Sequence, residues 1–114
     1  MTAHLRDAAV APTCDQGPVP ADMVREGAPH TAGVVVFRNP DGSSEAGIWE
    51  CTPGAYHVVV ERDEFCHLLA GAVTVAQDGG EALTLRAGDC AMFPRGWSGT
   101  WRISETIRKA YMIA

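Results

Sequence analysis

Basic residues are scarce and scattered in this chain. Nine Lys and Arg stand against 14 Asp and Glu, for a formal net charge of -5 and a pI near 5.2. Arg108-Lys109 is the only adjacent basic pair. Sequence-independent nucleic-acid binding draws on clustered positive charge, so that class is excluded. No apolar run approaches the roughly 20 residues of a membrane-spanning helix. The opening stretch MTAHLRDAAVAPTC lacks a long apolar core and carries Asp7, so no export signal is expected and the cytoplasm is the expected location. Cysteines at 14, 51, 66 and 90 form neither a Cys-x-x-Cys pair nor a zinc-ribbon spacing. Without an export signal they are expected as free thiols. Ser-His-Asp order and a helical His-Glu-x-x-His are both missing. QDGGEA (77–82) has glycines but opens no helix, so it lacks the amide cradle of a phosphate loop. No window of helical length keeps a 3.6-residue period.

What the chain does have is glycine, proline and short β-branched runs. Its 114 residues point to one domain, large enough to hide about two-thirds of the unfolded surface. The 46% apolar and 20% charged composition is ordinary globular usage. Residues 1–32 carry Pro12, Pro18, Pro20 and Pro29 with little alternation, and read as an extended or partly disordered arm with room for one helical turn at ADMVREG. From Gly33 to the end the texture changes. GVVVF, EAGIWECT, AYHVVVE, EFCHLLA, AVTVAQ, ALTLR, DCAMF, GTWRIS and TIRKAYMI read as nine short strands. Turn clusters separate them at intervals of about 8–12 residues, the spacing of an all-β barrel or sandwich. Asp78-Gly79-Gly80 is a strong hairpin signal, because tight turns need positive φ. The glycines at 71 and 88 and the turn at 94–96 fit the corners of a double-sheet jelly roll.

Two motifs give this reading a family. Glu64 is followed by six residues and Gly71, and Gly88 by five residues, Pro94, Gly96 and then Gly99. This frame resembles the cupins, where the first motif carries a His-x-His pair before the glutamate and the second ends in a histidine. Here the pair falls on His57 and Val59, and the last position is Gly99. The blocks GIWECTPG, DEFCHLLAG, AGDCAMFPRGWSGTW and IRKAY, spread over about residues 45 to 113, resemble the small single-domain cupins. These group with the cupin domain of (S)-ureidoglycine aminohydrolase and with ethanolamine-utilisation cupins. The resemblance implies a double-stranded β-helix (jelly-roll) barrel at 33–114 with the 1–32 arm outside it.

It also implies an inward Glu64. Alternate residues of a strand face the same side, so Cys66 and Leu68 would then point inward with Glu64, and Trp101 with position 99. Lys109 is inward by the subfamily block, and Tyr111 follows it. His57 shares a face with Ala55 and Val59. Either Trp49 or Glu50 joins the interior. The expected ligand-binding set is therefore His57, Glu64, Cys66, Trp101, Lys109, Tyr111 and Trp49, with Glu64 and Lys109 as the pair able to move a proton. No metal or other cofactor is expected, since Val59 and Gly99 remove two of the four usual ligands. A divalent metal held by His57, Glu64 and Cys66 is the alternative. The function expected is binding of a small metabolite inside the barrel, with a metal-dependent, aminohydrolase-like reaction on a small nitrogenous or carbonyl compound as the rival. Open jelly rolls expose strand edges, and a homodimer is the expected way to cover them.

Overall fold

A computed structural model describes residues 2–114 and is all-β. Among these residues nine strands form one curled antiparallel sheet: β1 (Cys14–Pro18), β2 (Val24–Gly27), β3 (His30–Arg38), β4 (Glu45–Cys51), β5 (Gly54–Val59), β6 (Glu64–Gln77), β7 (Ala82–Arg86), β8 (Cys90–Phe93) and β9 (Ser98–Ile113). No helix among the described residues is long and apolar enough to cross a membrane.

Two long strands form the spine. Along one edge β9 pairs with β6 from Gly99 to Ile113; along the other it pairs first with β5 and then with β4. Strand β6 is used the same way, with β8 beside its first half and β7 beside its second. Because each long strand changes partner midway, the sheet bends over on itself and closes a jelly roll. The sequence divides each spine strand in two, at Gly71 and near Ser104. The structure keeps both intact. Gly71 has φ +84°, and a Cβ there would stand 2.2 Å from the Thr106 carbonyl oxygen. Glycine thus allows β6 and β9 to stay in contact through the bend. Register shifts on β6 between Leu68 and Val73 absorb the curvature.

Local chemistry sets the other turns. The β6–β7 hairpin closes through Gly80 N–H donating to the Gln77 carbonyl, with Gly79 at φ +73°, and the Thr74 and Thr84 hydroxyls meet across it at 3.0 Å. Asp89 accepts from the Arg86 amide and fixes the turn into β8. The 94–97 turn is tied to the loop after β5 by hydrogen bonds between Val60 and both Trp97 and Gly96.

The described part of the N-terminal segment, from residue 2 to residue 32, is tied to the barrel by two strands. β1 pairs with β3 and β2 with β5, so the segment covers two sheet edges of its own chain. ADMVREG is a turn followed by β2 and not a helical turn, because the Val24–Gly27 backbone finds partners on β5. Residue 32 falls inside β3, so the segment and the barrel share a strand. The core between the layers is built from Leu68, Val73, Val75, Leu85, Phe93, Trp101, Ile103 and Ile107, each at most 6% exposed. Fully burying one such side chain contributes about 1.5–3 kcal/mol.

Candidate functional site

Above this core the barrel stays open as a cavity of about 390 Å³. Register explains its floor. Trp49 on β4, Lys109 on β9 and Leu68 on β6 are direct neighbours across three strands, and two residues on lie Gly47, Tyr111 and Cys66. The next inward row is Glu45, Ile113 and Glu64. Gly47 leaves the space that Tyr111 fills, since a Cβ there would stand 3.0 Å from the Tyr111 hydroxyl.

Lys109 is 5% exposed and lines the cavity. Its Nζ donates to Glu64 Oε2 at 2.5 Å and lies 4.7 Å from the Trp49 ring centroid and 4.5 Å from that of Trp101. The two indoles meet edge to face, with centroids 6.5 Å apart. A buried ammonium is costly unless its charge is met, and here one carboxylate and two π faces meet it. The Trp101 indole N–H is buried without a hydrogen-bond partner among the described residues.

A second polar cluster stands at the mouth. Tyr111 donates its hydroxyl to Glu45 Oε2 at 2.6 Å, and Arg38 donates Nε and one terminal nitrogen to Glu45 Oε1 at 2.9 and 2.6 Å. These hydrogen bonds, that of Tyr111 foremost, hold the Glu45 carboxyl below the usual carboxylate range. Burial and the Glu45 carboxylate push the Tyr111 phenol up. The remaining wall is mostly apolar, from Tyr56, Val58, Val60, Ile113 and, out of the N-terminal segment, Met23.

Five of the seven residues expected in the pocket thus share it: Trp49, Glu64, Trp101, Lys109 and Tyr111. Between Trp49 and Glu50 the structure selects Trp49; Glu50 lies on the opposite face, accepting from Thr13 Oγ1. Cys66 points inward but sits in the closed core at 0% exposure, where burial pushes its thiol up and leaves it a small packing group. His57 is a correction. Its neighbours Tyr56 and Val58 face the cavity, and the imidazole points away to Asp78 (2.9 Å) and the Ser98 hydroxyl (3.3 Å). The reason is parity. Five residues separate Val58 from Glu64, and Val60 is pinned inward by its bonds to the 94–97 turn, so the inward register on β5 lies one residue off the expected one. The three residue types of a hydrolytic triad meet around His57 in the wrong order, since Asp78 and Ser98 both address the same imidazole nitrogen.

The metal alternative names three residues that the fold does not bring together. His57, Glu64 and Cys66 do not converge, and no group of three or more His, Cys, Asp or Glu side chains among the described residues is arranged to hold a metal ion. Glu64 already bonds an ammonium. At position 99 a Cβ would stand 2.4 Å from the Ala76 carbonyl oxygen and 2.6 Å from the Trp97 ring. The site is closed by backbone and indole, with no room for an imidazole.

Sequence reasoning did not single out Glu45, Arg38, Tyr56, Val58 or Met23. For Glu45 a signal exists: it shares strand parity with Trp49, so placing Trp49 inward brings Glu45 with it.

Solved structures of the same fold include a protein of unknown function of the DUF861 family from Pseudomonas syringae (TM-score 0.85, 20% identity, over 93% of this chain and 46% of that one). Others are a DUF861 family protein from Thermotoga maritima (TM-score 0.55, 31% identity, 56% and 73%) and a putative ethanolamine utilization protein Q from Salmonella typhimurium (TM-score 0.63, 20% identity, 98% and 91%). This chain therefore spans less than half the length of the Pseudomonas protein. No curated protein matches it. The EutQ-like cupin domain model matches residues 38–111, which include both the floor pair's Lys109 and the Glu45 cluster, and the chain belongs to that family.

Proposed function

We propose that the barrel binds a small polar metabolite, held between the Lys109–Glu64 pair at the floor and the Glu45–Arg38–Tyr111 cluster at the mouth. The observation that carries this reading is convergence: a cavity of about 390 Å³ with aromatic and aliphatic walls and two charge-balanced polar clusters. Small-molecule sites take this form, mostly apolar with a few placed polar groups. One oxygen of Glu64 bonds Lys109, leaving the other for a ligand proton or amide. Lys109 and Glu64 are close enough to pass a proton between them, so they are the residues that would carry any chemistry. An aminohydrolase-like, metal-dependent reaction is not favoured, because the donor set does not converge. The four free cysteines accord with a cytoplasmic location.

Two of the three tryptophans, Trp49 and Trp101, line the cavity, so intrinsic fluorescence reports its occupancy. Titration with a panel of small amines, carboxylates, amides and carbonyl compounds is expected to give at least one saturable fluorescence change with a matching rise in Tm. Both should weaken sharply in Val58→Phe, whose ring projects into the cavity. A panel with no saturable member, or binding unaffected by Val58→Phe, overturns the reading.

Self-association belongs to the same proposal. Met92, Phe65, Met112, Ala46 and Phe37 are successive cross-strand partners on the outer face of five strands. The four large side chains are 41–53% exposed. At about 4.8 Å per strand the row is about 19 Å wide, and an apolar patch of this kind marks an interaction surface. A second copy presents the same row, which makes the surface self-complementary.

A further inference from the structure

Lys109 is the only lysine in the chain; the other eight of the nine basic side chains are arginines. Either residue supplies positive charge to a surface or an ion pair. They differ in that arginine keeps its proton, whereas the lysine amine can release one and become a nucleophile. The single lysine is placed not on the surface but on the floor of the cavity, 5% exposed, with a carboxylate 2.5 Å from its nitrogen and two indole faces beside it. A buried cation needing only a partner would be served by arginine, whose planar fork suits a carboxylate better.

We propose that Lys109 forms a Schiff base with a small aldehyde, ketone or α-keto acid in the cavity, with Glu64 moving the protons. This rests on the reading of the barrel as a small-molecule site and names its ligand class. Glu64 takes a proton from the Lys109 ammonium and frees the nitrogen lone pair. The lone pair attacks the carbonyl carbon, forming the C–N bond, and the C=O π electrons pass to oxygen, which receives the proton from Glu64. The nitrogen then gives its second proton to Glu64. The C–O bond breaks as the nitrogen pair forms the C=N bond, and the leaving hydroxyl takes that proton and departs as water. The ammonium and carbonyl thus become a protonated imine and one water, and Glu64 ends as the carboxylate facing the iminium. No oxidant, reductant or metal is required. The two indoles shield the nitrogen on two sides and favour the flat iminium against their π faces.

The test uses the full chain with glycolaldehyde, acetone and pyruvate, each with sodium cyanoborohydride at neutral pH, read by intact mass and peptide mapping. The expected product is one reduced adduct on Lys109, formed at least tenfold faster than on a synthetic peptide of residues 107–114. Lys109→Arg should retain only the slow adduct on the N-terminal amine, and Glu64→Gln should slow trapping at Lys109 at least tenfold. The wild-type mapping stands even if a variant does not fold. Labelling of Lys109 no faster than of the peptide overturns the proposal. Parallel fluorescence titrations without reductant separate the two readings: saturable occupancy without trapping removes the Schiff base and leaves the binding site, whereas neither occupancy nor trapping removes both.

Discussion

Lys109 Nζ and Glu64 Oε2 lie 2.5 Å apart on neighbouring strands, with the ammonium against the Trp49 and Trp101 rings. Lys109 is thereby a charge that the fold holds at two kinds of cost, desolvation and exact pairing. Removing one partner strands the other. Loss of a partner from a fully buried pair costs about 3–5 kcal/mol. Glu64 keeps 17% side-chain exposure, so Glu64→Gln is expected nearer about 2 kcal/mol, with the fold retained. Glu64→Gln with Lys109→Met should recover most of that loss, since no charge is then left unpaired. Urea denaturation of the single and double variants checks it; strictly additive losses would show that the two residues do not interact.

Alkaline conditions should destabilise this protein. Burial pushes the Cys51 thiol up to about 11, and pushes Cys66, Tyr56 and Tyr111 up as well. Each group then holds its proton to higher pH when folded than when unfolded. Above the ordinary thiol value of 9.0 the unfolded chain binds fewer protons, so stability falls as pH rises. The slope is about 1.4 kcal/mol per pH unit for each group titrating only in the unfolded state. Urea midpoints measured from neutral pH to about pH 11 should decline, and less steeply in Cys51→Ala. A flat profile would contradict the inward placement of these four groups.

Gly99 should not tolerate a side chain. Its Cβ position meets the Ala76 carbonyl oxygen and the Trp97 ring, and the carbonyl belongs to a paired strand that cannot move alone. Gly99→Ala is expected to cost about 1–3 kcal/mol, a fall in Tm of about 4 °C or more. Gly99→His should be worse and should gain no affinity for zinc or manganese. Thermal unfolding and isothermal titration with each metal decide this; a stable, metal-binding Gly99→His would refute the geometry.

The outer apolar row predicts a dimer. Light scattering at micromolar concentration is expected to give twice the 12.1 kDa chain mass. Phe65→Ser with Met112→Lys should give the chain mass without lowering the stability of the isolated barrel, because both side chains are half exposed. A wild-type monomer under these conditions removes the self-association reading.

Strand alternation carried the site a long way, and particular residues show where it stopped. From Glu64 as an inward anchor, a period of two put Cys66 and Leu68 inside; with Lys109 inward, it put Tyr111 beside it, and these four do face inward. Period two is fixed by backbone pleat, so it needs no knowledge of neighbours. It fails across a loop. His57 is separated from Glu64 by a connection whose parity alternation does not fix, and Val60, held by Trp97 and Gly96, set it. Cys66 shows a second limit: alternation says which face a residue takes, not whether that face is cavity or solid core.

The order of apolar runs and turn residues by itself determined an all-β chain and its hairpin at 78–80. Both are local consequences of pleat and φ preference. Only the tertiary structure decided that four expected strands are two, that the N-terminal segment closes its own barrel's edges, and that Glu45 and Arg38 join Tyr111 at the mouth. Those outcomes depend on contacts between residues far apart in sequence, such as Gly71 against Thr106, and closure of the sheet creates them.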